Sequence, residues 1–492
     1  MSKKIPSRLL LIVLLMAATA PAFAADTPAR NDDGKCAPPP DGKGAPPSGQ
    51  APPPPPADGN GTPPCPPPDG KGPPPGNGHA GNGPPPGPPP GQHQAYALAG
   101  AYTVADVRSQ TESGRRYTSA KPDESAVWIK QGGRLSLDRP SIDKRGDSSS
   151  HENSSFYGLN AALLVTGGGN LGVQGGSVLA DGVGANAVSA VDSGSRAELD
   201  GTRIVAHGNG AHGVDAANGG SVVLRGVEIE TFDASAAAVA TDRGGGDISV
   251  QGGKLLAHGF RSPGLYSTGT IKVAGTEVRA SGAEAAVIEG SNAIEVEDGR
   301  LFAGKTCGAM LYQSFSGDAQ GQHSRYAQRG GSFGAAEGPL FFVTNATGEI
   351  VLENVQLAAA SGVLVKASDG QWGRQGSNGG HAVLHALGQR LPGDLVAEHG
   401  GSVVAELRQG SVLEGSVHGA ALDIDASSRW DVLGDSSVAA LTLAGADAGA
   451  KLARLQGNGH TVRYDAKATA NAWLGGKRWD LPGGGSLQPD AP

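Results

Sequence analysis

The chain has 492 residues, 80 of them Gly and 35 Pro, with aromatics at 4% and a formal net charge of −8. That much glycine with so few aromatics excludes a helix-rich globular enzyme and points to many short strands joined by tight turns. The charge balance gives neither the basic footprint that nucleic-acid binding needs nor a polybasic membrane stripe.

The first residues read as an export signal. Lys3, Lys4 and Arg8 precede an apolar run from Leu9 to Ala18, and Ala22-Phe23-Ala24 is a small-x-small cleavage site. A signal peptide is therefore expected over residues 1–24, with the mature chain starting at Ala25. The run is too short to span a bilayer, and no later stretch has 18 consecutive apolar residues, so no integral membrane span is expected after cleavage.

Residues 25–94 hold most of the prolines, in runs such as Pro52 to Pro56 and Pro84 to Pro90. Such a segment cannot bury a core and is expected to be a disordered, extended polyproline spacer. It carries Cys36 and Cys65. An oxidising compartment permits a disulfide between them, and two unpaired thiols are the alternative. Cys307 occupies a repeat position held elsewhere by small apolar residues, and reads as a buried small residue.

From about Ala95 the chain repeats itself. A small-small-apolar triplet recurs as Ser125-Ala126-Val127, Ala161-Ala162-Leu163, Asn186-Ala187-Val188, His212-Gly213-Val214 and Ala237-Ala238-Val239. It continues as Pro263-Gly264-Leu265, Ala285-Ala286-Val287, Gly308-Ala309-Met310, Gly338-Pro339-Leu340 and Ser361-Gly362-Val363, mostly 22 to 26 residues apart. Between copies the apolar residues alternate, which is the strand period. One coil of three short strands and three turns fits this length. Stacked coils lie about 4.8 Å apart, so equivalent positions form ladders along the axis. The expected fold is all-β, a right-handed parallel β-helix over residues 95–429. C-terminal coils and a cap follow over 430–482, then a tail over 483–492.

Two coils carry insertions, one after Tyr312 and one after Lys366. Both leave after the same strand, two coils apart, and should emerge about 10 Å from each other. A third, polar insertion runs from Lys144 to Ser155 near the other end of the array.

Several segments carry a resemblance. Trp430-Asp431-Val432-Leu433-Gly434-Asp435-Ser436-Ser437-Val438 with Leu441-Thr442-Leu443 is similar to the last coils of pertactin-type autotransporter passengers. Ala240 to Gly246, Tyr312 to Asp318 and Asn471 to Lys477 resemble bacterial right-handed β-helix repeat proteins of the adhesin-like group. The resemblance covers roughly residues 95–485 and implies a pectin-lyase-like solenoid. It departs from the autotransporter pattern in that no translocator barrel follows before Pro492. The expectation is an exported protein in the periplasm, at the cell surface or outside the cell, of Gram-negative type.

Pectate lyases and polygalacturonases share this fold, so a polysaccharide lyase or hydrolase is the alternative function. Such chemistry needs clustered carboxylates, either to bind Ca²⁺ or to act as acid and base. The residues expected to face outward in successive coils are Asp242 and Arg243, Tyr266 and Ser267, Glu289, then Tyr312 and Gln313, a polar stripe without a sequence-paired acid dyad. No catalytic residue, metal ligand or cofactor motif is assigned. The histidines show no ligand spacing, and no phosphate-binding glycine loop precedes a helix. The candidate ligand-binding residues are Tyr312, Gln313 and Asp318 on one insertion and Lys366, Trp372 and Arg374 on the other. There an aromatic face could cover sugar C–H groups while polar groups bond hydroxyls. Arg145-Gly146-Asp147 is a tripeptide able to engage host integrins, and it also arises by chance. The first functional expectation is an adhesin-like rod binding a glycan or a host surface. A purely structural envelope component is a further possibility.

Overall fold

A computed structural model describes residues 96–490 apart from Gly317. The signal segment, the Pro-rich tract, Cys36 and Cys65 lie outside the described residues. The described chain is a parallel β-helix, and its strands fall into a 29-stranded, a 10-stranded and a 4-stranded sheet. A typical coil contributes Val214–Ala217, Gly220–Arg225 and Glu228–Thr231, and the next stacks Val239–Thr241, Gly246–Gln251 and Lys254–Ala257 upon them.

Each of the three walls has an inward ladder. On the first wall Val127, Leu163, Val188, Val214, Val239 and Leu265 stack in register, continuing through Ala286, Ala309, Phe341 and Val365. All are fully buried. The sequence repeat follows this ladder as far as Leu265. Beyond it the expected inward residues Val287, Met310, Leu340 and Val363 are not the ladder members. Val287 and Met310 point to the outer side of the wall, where they pack in a second apolar cluster with Tyr266, Tyr312 and Phe342. The outer face is itself covered there, so both faces are apolar and alternation no longer tells them apart. The second wall stacks Ala197, Val222, Ile248, Ile271, Ile294, Tyr326 and Ile350. The third stacks Val178, Ile204, Ile229, Leu255, Val278, Leu301 and Phe333.

At two coils the residue before the inward position of the first wall must be small, whereas Leu340 and Leu364 fill that place before Phe341 and Val365. A Cβ on Gly213 would lie 2.3 Å from Ile229 Cγ2, and one on Gly264 would lie 2.4 Å from Val278 Cγ1. The third wall breaks once, where Gln356–Ala359 ends the ten-stranded sheet and Arg390–Pro392 begins the four-stranded one. The Gln389 side chain closes the break, accepting from Val355 N at 2.7 Å and donating to Val355 O at 2.7 Å.

The C-terminal end is closed by large side chains. Trp430 is fully buried and its Nε1–H donates to Gly415 O at 2.9 Å. Tyr464 is likewise buried, and Trp473 donates to Leu441 O at 3.0 Å. Trp479–Asp480 pairs antiparallel with Ser486–Pro489, which also pairs with Thr461–Tyr464. The segment expected as a tail thus carries a strand with a buried Leu487.

The polar insertion that follows Lys144 forms one short helix, α1 (His151–Tyr157). Ser150 caps it, its side chain accepting from Asn153 N, and Gly158 ends it in the left-handed conformation with φ of 70°. Lys144 itself is not part of a solvated loop. It is fully buried, and its ammonium donates to the carbonyls of Lys121, Arg145 and Gly146.

Candidate functional site

The outer face of the first wall is where the insertions converge. One column on it runs through Asp215, Ala240, Tyr266, Val287, Met310, Phe342 and Lys366. The neighbouring column includes Glu289, Tyr312 and Thr344. The stripe expected to be solvated is therefore present, but it is covered. Asp215, Asp242, Tyr266, Glu289 and Tyr312 are all buried, and Ser267, expected to face outward, stands instead in the inward column with Ile288 and Leu311, because it alternates with Tyr266 along the strand.

Three covers achieve this. Helix α1 lies over the N-terminal part, held by Asn186 Nδ2 donating to Ser154 O at 3.4 Å and Asn218 Nδ2 donating to Phe156 O at 2.9 Å. The insertion after Tyr312 lies over the middle. Glu289 anchors it, its carboxyl oxygens accepting from Tyr266 Oη at 2.7 Å, Tyr312 Oη at 2.8 Å, Ser316 Oγ at 3.1 Å and Ser314 Oγ. The insertion after Lys366 packs beside it. Trp372 meets the rings of Tyr312 and Phe315 at 6.0 Å each, and Asn378 folds its own loop by donating to Gly370 O and Trp372 O.

Of the six candidate residues, Tyr312 and Trp372 meet, one from each insertion, while the Gln313 side chain turns to the carbonyls of Ser314 and Ala319. Gln313 O accepts from Asn345 Nδ2 at 2.7 Å. Trp372 is half-buried and braces Phe315, which is itself 45% exposed. Lys366 turns to Glu398 at 2.5 Å, and Arg374 is exposed on its loop. Asp318 is buried and holds Arg243 through Nη2 at 2.9 Å and Nε at 3.2 Å.

Arg243 joins α1 to the first insertion. Its guanidinium also reaches Glu152 Oε1 at 3.3 Å and lies 3.7 Å from the centroid of the Phe156 ring. Between α1 and the insertion remains a cleft of about 280 Å³, whose lining includes His151, Glu152, His212, Arg243, Phe315 and Asp318. Apart from the cleft lining, the covered wall carries a desolvated acidic pair, Asp215 and Asp242. Burial, and then the nearby Asp242, holds the Asp215 carboxyl well above the usual range, while burial followed by Asp318 raises Asp242. Among the described residues no hydrogen bond of ordinary geometry reaches either Asp215 oxygen, the Ala216 amide merely lying close. Burial and the neighbouring His151 push His212 down to about 4, so its ring is neutral at physiological pH.

Sequence reasoning did not pick out Glu152, His212 or Phe315. For His212 a signal existed, since a large ring stands where the other copies of the triplet have small residues, Asn or Pro. The tripeptide Arg145-Gly146-Asp147 has structural partners. Arg145 pairs with Asp143 at 3.0 Å and Asp181 at 2.9 Å, and Asp147 Oδ1 accepts from Val183 N at 2.8 Å. Cys307 is fully buried in the second apolar cluster.

Among the described residues no group of three or more His, Cys, Asp or Glu is placed to hold a metal ion, and no helix is long and apolar enough to cross a membrane. Compared with family models, curated proteins and solved structures, the chain shows no match.

Proposed function

We propose that this protein is an exported rod of the bacterial envelope or surface that binds its target without transforming it, in the manner of adhesin-like β-helix proteins. One observation supports this above the rest. Two carboxyl groups on the covered wall have structural work, Glu289 gathering four hydroxyls and Asp318 held by Arg243, while Asp215 and Asp242 are buried away from solvent with raised pKa values. A lyase or hydrolase needs carboxylates that reach a substrate and exchange protons with it. Beside them lies a cleft with mixed donors, acceptors and one exposed ring, which suits recognition. The similarity of the Trp430 segment to pertactin-type passengers supports a surface role.

The test pairs two measurements on the full chain. Fractionation of the producing cell should place the protein in the periplasm, at the surface or in the medium. Incubation with pectate, alginate and other acidic polysaccharides should release neither reducing ends nor unsaturated products. Cytoplasmic location would refute the exported rod, and steady product release would establish the lyase or hydrolase.

A further inference from the structure

We propose that the cleft between α1 and the insertion after Tyr312 binds a neutral sugar residue, with Phe315 as its stacking face and His212 Nε2–H as a hydrogen-bond donor. The inference rests on the binding-rod reading and names its ligand class.

The argument starts from a ladder along the axis. Asn186 Oδ1 accepts from His212 N at 2.9 Å, and one coil later His212 Nδ1 accepts from Ala237 N at 3.0 Å. Asparagine and histidine thus do the same structural task in successive coils. Asparagine suffices for it. What histidine adds is a second ring nitrogen, and because Nδ1 accepts, the neutral ring carries its proton on Nε2. That donor has no hydrogen-bond partner among the described residues. The side chain is 5% exposed, and the ring lines the cleft. A ring donor at the wall of a cleft, with no hydrogen bond to it among the described residues, is open to a ligand oxygen.

The rest of the lining selects the ligand. Arg243 offers guanidinium N–H groups, while Glu152, Asp318 and Ser316 offer acceptors within the same small volume. The two carboxyl groups repel an anion, and a cation would have to displace Arg243, which already lies between them. An uncharged polyol satisfies both kinds of partner, because each hydroxyl both donates and accepts. Phe315 is 45% exposed and held by Trp372, so it presents a fixed apolar face to sugar C–H groups.

The experiment titrates the full chain with methyl glycosides of glucose, galactose, mannose, fucose and N-acetylglucosamine, with methyl glucuronide and methyl glucosaminide as charged controls. Binding is read by calorimetry and by saturation-transfer NMR. At least one neutral glycoside should bind, with transfer to its ring protons. His212→Asn keeps the bond to Ala237 N, as Asn186 does for its neighbour, and should lower affinity about tenfold with little change in Tm. His212→Gln, which returns an N–H near the Nε2 position, should recover part of it. Phe315→Ala should weaken binding at least as much as His212→Asn. Unchanged binding in both His212→Asn and Phe315→Ala would overturn this site and leave the rod reading standing. Tighter binding of a charged control would overturn the neutral class. Retention of immobilised polysaccharide without binding of any glycoside would also overturn the cleft assignment, whereas loss of both would remove the rod reading as well.

Discussion

Asp215 and Asp242 show how a side chain legible as outward can be buried. Both lie on the outer side of the first wall, yet α1 and its loop seal them from water. Their folded-state pKa values are raised by burial first and by acidic neighbours second. A raised carboxyl pKa means that the folded state holds protons which the unfolded chain releases above about pH 4. Stability from these groups is then full below that pH and falls as pH rises toward the folded values. His212 works in the opposite sense, since its folded value of about 4 lies below the ordinary histidine value of 6.5, so its penalty fades as pH rises through that window. Above about pH 6.5 the acid pair still lowers stability as pH rises; Glu284, raised by burial to about 7, adds to the fall up to that value, and Lys144, lowered by burial to about 8, opposes it above. The double variant Asp215→Asn with Asp242→Asn should therefore flatten the fall of Tm between pH 6.5 and 8.5, read by thermal melts in matched ionic strength. A parallel fall in both proteins would show that these carboxyl groups ionise freely under α1.

At the scale of elements, the alternating triplets and their spacing made the ladders readable, because a buried strand face is a local property of a few residues. The two later insertions were also readable, since equal exit points two coils apart force them together. The first insertion was not. Glu152 and Arg243 are 91 residues apart, and nothing local to α1 says how far over the wall it leans. The same limit explains the register error after Leu265, where the covering loops make the outer column apolar. Two expectations belong here. Val239→Asp, placing a carboxyl in the inward ladder, should destabilise by roughly 4 kcal/mol or more in urea unfolding. An unchanged midpoint would mean the wall is inside out. Glu289→Ala should cost about 3 kcal/mol by leaving four hydroxyls without their acceptor, and should open the insertion after Tyr312 to protease first. A variant as protease-resistant there as the parent would show that the loop is held by its apolar contacts with Trp372 alone.

For the molecule as a whole, a β-helix has two open apolar ends, and an uncapped end is an edge that recruits other chains. The C-terminal end is stopped by Trp430, Tyr464 and Leu487 in the core and by the one antiparallel strand pairing described, Trp479–Asp480 against Ser486–Pro489. The rod so closed presents along one face a wall whose acids are covered and a cleft where α1 and an insertion stand apart. Binding without turnover is what the proposed function expects of such a molecule. Its most direct test is to load the full chain with a polysaccharide that it retains, incubate, elute the glycan and measure its chain length. Binding alone returns the polymer at its starting length with no new reducing or unsaturated ends. A shortened polymer, in amounts that grow with time and exceed one cut per protein molecule, would contradict it.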